Sequence, residues 1–109
     1  MNGAADAEER ERRILDVLRA LREGEVTTYG DVADTAGYPK RSRLVGRILA
    51  NADAEVPWWR VVNVSGQLRA HDVREQAALL RAEGVDVRAG RVRNAPSGRF
   101  SRPPRPPHS

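Results

Sequence analysis

Thr28-Tyr29-Gly30-Asp31-Val32-Ala33-Asp34-Thr35-Ala36-Gly37-Tyr38-Pro39-Lys40-Arg41-Ser42-Arg43-Leu44-Val45-Gly46-Arg47-Ile48-Leu49-Ala50 is the stretch that decides the fold. Thr28 followed three residues later by Asp31 resembles a capping box, with Asp in place of the usual Glu or Gln. It predicts a short helix over about Tyr29 to Ala36 with Val32, Ala33 and Ala36 inward, broken by Gly37-Tyr38-Pro39. A further helix is expected from near Lys40 to about Ala50. Leu44, Val45, Ile48 and Leu49 form its apolar side, and Lys40, Arg43 and Arg47, spaced by three and four, form a cationic stripe. Gly46 lies between the two sides, where a missing side chain lets a backbone come close. Two short helices joined by a glycine-containing turn, the second basic outside, make the helix-turn-helix pattern.

Upstream, a helix is expected from about Glu9, with Ile14, Leu15, Leu18 and Leu21 on one side and Gly24 as its stop. Residues 1–9 read as a flexible leader. Downstream, Val61-Val62, the turn Ser65-Gly66 and Gln67-Leu68 suggest a hairpin, the wing of a winged helix. Asp72 and Glu75 look like a second capping box, opening a helix through Glu83 with Val73, Ala77 and Leu80 inward. Val85, Val87 and Ala89 alternate with polar residues, as an edge strand does. Residues 93–109 are rich in arginine and proline and read as a disordered tail. The expected fold is therefore α+β and mainly helical: a single winged helix-turn-helix domain over residues 10–92 with a small β-hairpin wing.

The chain of 109 residues is one small domain, since a core takes on the order of 100 residues. Its formal charge of +4 hides a split. Residues 88–109 hold six arginines and no acid, whereas residues 1–87 hold 13 of the 19 cations and all 15 acids. Binding to a polyanion must therefore come from where cations sit. Cysteine is absent and only His71 and His108 are imidazoles, so thiolate nucleophiles, Cys metal sites and a Ser/His/Asp triad have nothing to build on. No catalytic residue, metal site or cofactor is expected. No apolar run approaches a transmembrane length, and Met1 to Glu11 is polar, so no membrane partner and a cytoplasmic site of action are expected (the nucleoid, if bacterial).

Trp58 and Trp59 are adjacent, after Pro57 and before Arg60. In an extended segment neighbouring rings point to opposite sides. Both rings can be packing, or one can wall a pocket for a flat ligand such as a nucleobase.

Val26-Thr27-Thr28-Tyr29-Gly30-Asp31-Val32-Ala33, Ser42-Arg43-Leu44-Val45-Gly46, Pro57-Trp58-Trp59-Arg60-Val61-Val62 and Glu83-Gly84-Val85 closely resemble, in that order, the DNA-binding domain of O6-alkylguanine-DNA alkyltransferases. They look closer still to the alkyltransferase-like proteins, which keep that domain alone. The resemblance covers about Arg10 to Val92. Transferases carry Pro-Cys-His-Arg, whose cysteine accepts the alkyl group; here Trp58 stands at the cysteine position and cannot act as a thiolate. Alkyltransferase-like proteins usually read Pro-Trp-His-Arg, so Trp58 agrees with them and Trp59 departs from them.

The resemblance implies further roles. Arg43 matches the arginine finger that fills the gap left by a flipped nucleotide; by spacing alone it is equally a phosphate contact or a solvated charge. Tyr29 matches the tyrosine that rotates the target nucleotide and lines the pocket. Trp58 and Trp59 would contribute to that pocket, framed by Arg60 and Val61. Asn51 matches an asparagine near the end of the recognition helix, and Glu83 a glutamate of the transferase's hydrogen-bond network. Lys40, Arg41 and Arg47 are candidate phosphate contacts, and Gly46 a point of close approach. His71 either overhangs the pocket or lies on the surface beside Asp72.

The implied function is a non-catalytic, monomeric sensor. It would bind double-stranded DNA containing O6-alkylguanine by nucleotide flipping through the minor groove, and flag it for nucleotide excision repair proteins. The alternative is a sequence-specific winged-helix regulator that reads base edges and ignores damage.

Overall fold

The computed structural model describes residues 3–53 and 55–102. The chain order is helix α1 (Gly3–Arg19), strand β1 (Glu25–Thr28), helices α2 (Tyr29–Ala36) and α3 (Ser42–Ala50), and one 3₁₀ turn (Trp58–Arg60). Strand β2 (Val61–Val62), helix α4 (Val73–Ala82) and strands β3 (Asp86–Arg88), β4 (Arg91–Asn94) and β5 (Ser97–Gly98) complete it. The mixed helix-and-strand class is as expected.

The Thr28 hydroxyl accepts the Asp31 N–H at 3.0 Å, which starts α2, and Gly37 ends it at φ 95. The reciprocal half of the box is missing, because the Asp31 carboxylate turns outward to Arg99, 2.9 Å away. Asp72 caps α4 through the Glu75 N–H at 2.9 Å. Within α4 the inward set shifts: Val73 is exposed, whereas Gln76 is fully buried beside Leu80.

A small parallel sheet, ordered β2-β1-β5, divides two cores. Thr27 and Thr28 register with Val61 and Val62, and Glu25 and Val26 with Ser97 and Gly98. Successive strand residues face opposite ways. Val61 therefore enters a core with Ile14, Leu18, Val32, Val45 and Val56, and Val62 enters a second with Val26, Leu80, Val87 and Val92. Both are fully buried. A wing strand needs a solvent face, so Val61-Val62 cannot be one, and this corrects the expected hairpin. The antiparallel hairpin is β3–β4, turning at Ala89 (φ 53) and Gly90 (φ 71). Positive φ at both positions is the geometry of a tight two-residue turn.

The expected boundaries move at both ends. Instead of a loose leader, α1 begins at Gly3, because alanine and glutamate favour helix and Asp6 suits its first turn. Residues 93–102 are ordered rather than a free tail. Ala95 is buried, the Ser97 N–H donates to Gly24 O at 3.2 Å, and the Arg99 N–H donates to Val26 O at 3.1 Å. The remainder of the expected tail, residues 103–109, and of the leader, residues 1–2, lie outside the described residues.

Gly98 makes this return possible. At φ +87, an added Cβ would sit 2.5 Å from Val26 O. Gly98→Ala is expected to lower stability by about 1–3 kcal/mol, checked by urea denaturation. An unchanged midpoint would show that β5 contributes nothing to the fold.

Candidate functional site

Pro57 starts the 3₁₀ turn, and three residues per turn swing successive side chains about a third of a circle apart. The two indoles therefore leave the turn in different directions, and their rings stand perpendicular with centroids 5.9 Å apart. Trp58 faces a cavity of about 360 Å³, while Trp59 turns away to the second core. The cavity is at the small end of the range for ligand pockets, about 300–1,000 Å³. Tyr29 from the first turn of α2 forms one wall, and Ser42, Arg43, Gly46 and Leu49 of α3 form another. Trp58 and the segment Arg69-Ala70-His71 close the remaining side. The His71 ring lies tilted on Trp58, centroids 4.8 Å apart.

Burial pushes the Tyr29 phenol above its usual value, opposed by the positive charge of Arg69. Its hydroxyl is therefore a protonated donor at neutral pH. The cavity wall holds Arg43 and Arg69 and no carboxylate. Asp16, Glu25 and Asp31 line a separate hollow between α1, β1 and α2, whereas Asp53 and Glu75 line a smaller hollow on the other side of Trp58 and His71.

Of the residues expected to form a pocket, Tyr29 and Trp58 line the cavity together. Trp59, Arg60 and Val61 do not, which corrects that expectation: they form the layer behind it. Val61 is wholly buried among α1, α2 and α3. Trp59 Nε1 donates to Glu83 Oε2 at 2.8 Å, and Arg60 Nη2 donates to the same oxygen at 2.7 Å. Arg60 also donates to Leu21 O at 2.8 Å, and its guanidinium lies 5.1 Å from the centroid of the Trp59 ring. Glu83 additionally accepts the Gly24 N–H at 2.8 Å. Burial pushes the Glu83 carboxyl up, but hydrogen bonds from Arg60, Gly24 and Trp59 and the charge of Arg60 outweigh it, so its pKa is lowered.

On the outer face, Arg43 and Gly46 border the cavity, and Arg47 is exposed one turn further along α3. Lys40 departs from the expected stripe: it precedes α3 in a left-handed conformation, φ 67, and Arg41 is the residue at the helix cap. Both are exposed. Asn51 closes the far end of α3, its side-chain amide donating to Arg47 O at 3.0 Å.

Three contributors were not singled out from sequence. Ser42 lies in the quoted motif of residues 42–46 but was given no role, and Arg69 lies in none; the tertiary fold brings both to the cavity. Gln76 is the third. Its amide donates to Trp59 O at 3.2 Å and Val61 O at 3.0 Å, and its carbonyl accepts the Ala70 N–H at 3.3 Å. One buried amide thus fixes the Trp58 turn relative to the loop bearing Arg69 and His71. Among the described residues there is no His/Cys/Asp/Glu group able to hold a metal, and no helix long and apolar enough to cross a membrane.

These features define a helix-turn-helix domain whose second helix walls an apolar, cation-rimmed cavity. The chain belongs to the family described as 6-O-methylguanine DNA methyltransferase, DNA binding domain, which residues 9–85 match. A DNA base-flipping protein of Vibrio parahaemolyticus is 39% identical over 79 residues, covering 69% of this chain and 79% of that protein. Alkyltransferase-like protein 1 of Schizosaccharomyces pombe is 32% identical over 81 residues, covering 69% and 75%. The crystal structure of S. pombe Atl1 in complex with damaged DNA containing O6-carboxymethylguanine superposes with a TM-score of 0.68 at 31% identity. It covers 74% of this chain and 81% of that one.

Glu83→Gln is expected to lower stability at neutral pH by about 2 kcal/mol, because it leaves Arg60 without its counter-charge. A lowered folded pKa gives stability that is present above the usual carboxylate value near 4.5 and lost as pH falls through the folded value. The gap between wild type and variant, followed by urea denaturation, should therefore shrink below about pH 4.5. A gap independent of pH would contradict the assigned ion pair.

Proposed function

We propose that this chain is a non-catalytic DNA-damage sensor that binds O6-alkylguanine in duplex DNA by flipping the nucleotide into the α3 cavity. The observation that carries this reading is the convergence of Tyr29, Arg43 and Trp58 on one base-sized cavity. Extruding a base costs a few kcal/mol, less when it is damaged and poorly paired, and a stacking wall offsets that cost. Trp58 supplies the wall, packing on the guanine edge or its O6 substituent. Arg43, exposed at the mouth, enters the base stack from the minor groove and fills the gap.

No residue here accepts an alkyl group. The sequence contains no cysteine, and the position that holds the nucleophile in the transferases is Trp58. Binding without transfer leaves the lesion in place, so the complex is a mark for other proteins, and nucleotide excision repair is the process it would recruit. The protein acts as a monomer in the cytoplasm, on the nucleoid where the host is bacterial. The relatives support this reading, since they include a DNA base-flipping protein and an Atl1 bound to damaged DNA. A regulator that reads base edges has no use for an apolar cavity behind its recognition helix.

The decisive experiment is titration of two otherwise identical duplexes, one containing O6-methylguanine, at fixed salt with tryptophan fluorescence as readout. Wild type is expected to prefer the modified duplex by about tenfold or more, with Trp58 quenched on binding. Arg43→Ala should abolish most of that preference. Equal affinity of wild type for the two duplexes would overturn the reading.

Gly46→Ala separates binding from stability. Nothing lies within 4 Å of an added Cβ there, so the variant should gain about 0.5–1 kcal/mol from helix propensity. The same methyl group stands on the cavity wall, so affinity for the modified duplex should fall. Unchanged affinity would place the DNA away from this face of α3.

A further inference from the structure

The family match ends at residue 85, yet the charge of the chain is concentrated beyond it. Five arginines and one aspartate fall between residues 86 and 102. In the β3–β4 hairpin Val87 and Val92 are paired and buried in the second core. The period of two therefore sends Arg88, Arg91 and Arg93 to the opposite face. Arg88 stands directly across from Arg91. Like charges in that register repel and weaken a two-stranded ribbon. Asp86 relieves this only from the surface, 3.2 Å from Arg88 with both side chains largely exposed.

Arg102 joins the same face. Its backbone N–H donates to Asn94 Oδ1 at 3.1 Å, which holds the returning chain against β4. Among the described residues, the guanidinium groups of Arg91, Arg93 and Arg102 have no acidic or hydrogen-bonding partner. Together with Arg88, Ser65 and Asn94 they line an open groove of about 730 Å³, in which Asp86 is the one acid and Arg88 its salt-bridge partner.

The hairpin is docked next to the α3 cavity. The Leu68 N–H donates to Gly90 O at 3.0 Å, and Gln67 bridges to Arg91. The next residue, Arg69, belongs to the cavity wall. A self-repelling basic face on a hairpin bonded to the residues just before Arg69 fits a polyanion long enough to reach both the groove and the cavity.

We propose that the outer face of the β3–β4 hairpin, with Arg102, is a second DNA-binding surface. It grips the phosphodiester backbone flanking the nucleotide held at α3, without reading sequence or damage. This rests on the proposed function for its geometry, though its charge chemistry needs only a duplex. Phosphate contacts release counterions, so each contributes about 0.9 to the slope of log affinity against log salt.

The test uses the full chain, with Arg91, Arg93 and Arg102 all changed to Ala, and a companion in which all three become Lys. Affinity is measured over a range of salt for unmodified and O6-methylguanine duplexes long enough to extend beyond the cavity. The alanine variant should bind both duplexes about tenfold or more weakly at low salt, with the slope reduced by about 2–3 and the preference for the modified duplex retained. The lysine companion should keep the wild-type slope. A wild-type slope in the alanine variant would overturn the proposal, as would loss of lesion preference at unchanged slope. If the urea midpoint falls in the alanine variant, the single substitutions decide, each expected to lower the slope by about one. Failure of wild type to prefer the modified duplex would sink the lesion-sensor reading alone, because the slope on unmodified DNA still decides this one.

Discussion

One carboxylate holds together parts of the chain that no local propensity would join. Glu83, at the end of α4, accepts from the Gly24 backbone, the Trp59 indole and the Arg60 guanidinium, and Arg60 reaches on to the Leu21 carbonyl. The start of β1, the turn that presents Trp58 and the last turn of α4 thus share one anchor. Its side chain and that of Arg60 are only 11% and 13% exposed. In such surroundings a charge without its partner is far more costly than the pair together. The network therefore specifies an arrangement rather than simply adding stability. The arrangement it specifies is the orientation of the 3₁₀ turn, and with it the direction of Trp58.

That division explains the paired tryptophans. Trp59 provides an N–H to Glu83 and a ring to the second core, so it serves the scaffold. Among the described residues the Trp58 indole has no hydrogen-bond partner, and it lies tilted against His71 at the cavity. The family resemblance places a histidine where Trp59 stands. In this chain the indole N–H at that position is a donor to Glu83. Gln76 completes the support from behind, binding two carbonyls of the Trp59–Val61 segment and the Ala70 N–H. The cavity wall is thus held by groups that do not line it, which is how a site keeps its shape.

Much of this was legible in the sequence, and the boundary has physical causes. Helices α2 and α3, the caps at Thr28 and Asp72, and the pairing of Tyr29 with Trp58 depend on local chemistry or on motifs read in order. The position of the hairpin was not legible. Val61-Val62 and the segment after Val85 have similar local character, and only the double-sided burial of the former separates them. The return of residues 95–100 escaped for another reason: an arginine- and proline-containing segment has too little apolar surface to predict burial. What holds it is backbone pairing with β1 at a glycine, and hydrogen bonds to a distant strand leave no local signature. Lys40 left its stripe because the turn before α3 is longer than the spacing implied. Arg69 and Gln76 act through position alone, outside every quoted motif.

The charge map follows from the same topology. The acids of residues 1–87 outnumber their cations, yet none lines the α3 cavity itself: Asp16, Glu25 and Asp31 line a hollow between α1, β1 and α2, and Asp53 and Glu75 lie beyond Trp58 and His71. Asp31 is further neutralised by Arg99, supplied by the returning C-terminal segment. That segment thus closes the sheet edge and quenches an acid with a single residue beside Gly98. At about 0.15 M salt, fields fade over roughly 8 Å, so separating acids from the α3 face matters more than the net charge of the chain. A small domain with a weakly acidic body can therefore present a cationic surface. The surface is made by placement, and the placement depends on a sheet whose third strand is the part of the chain least expected to fold.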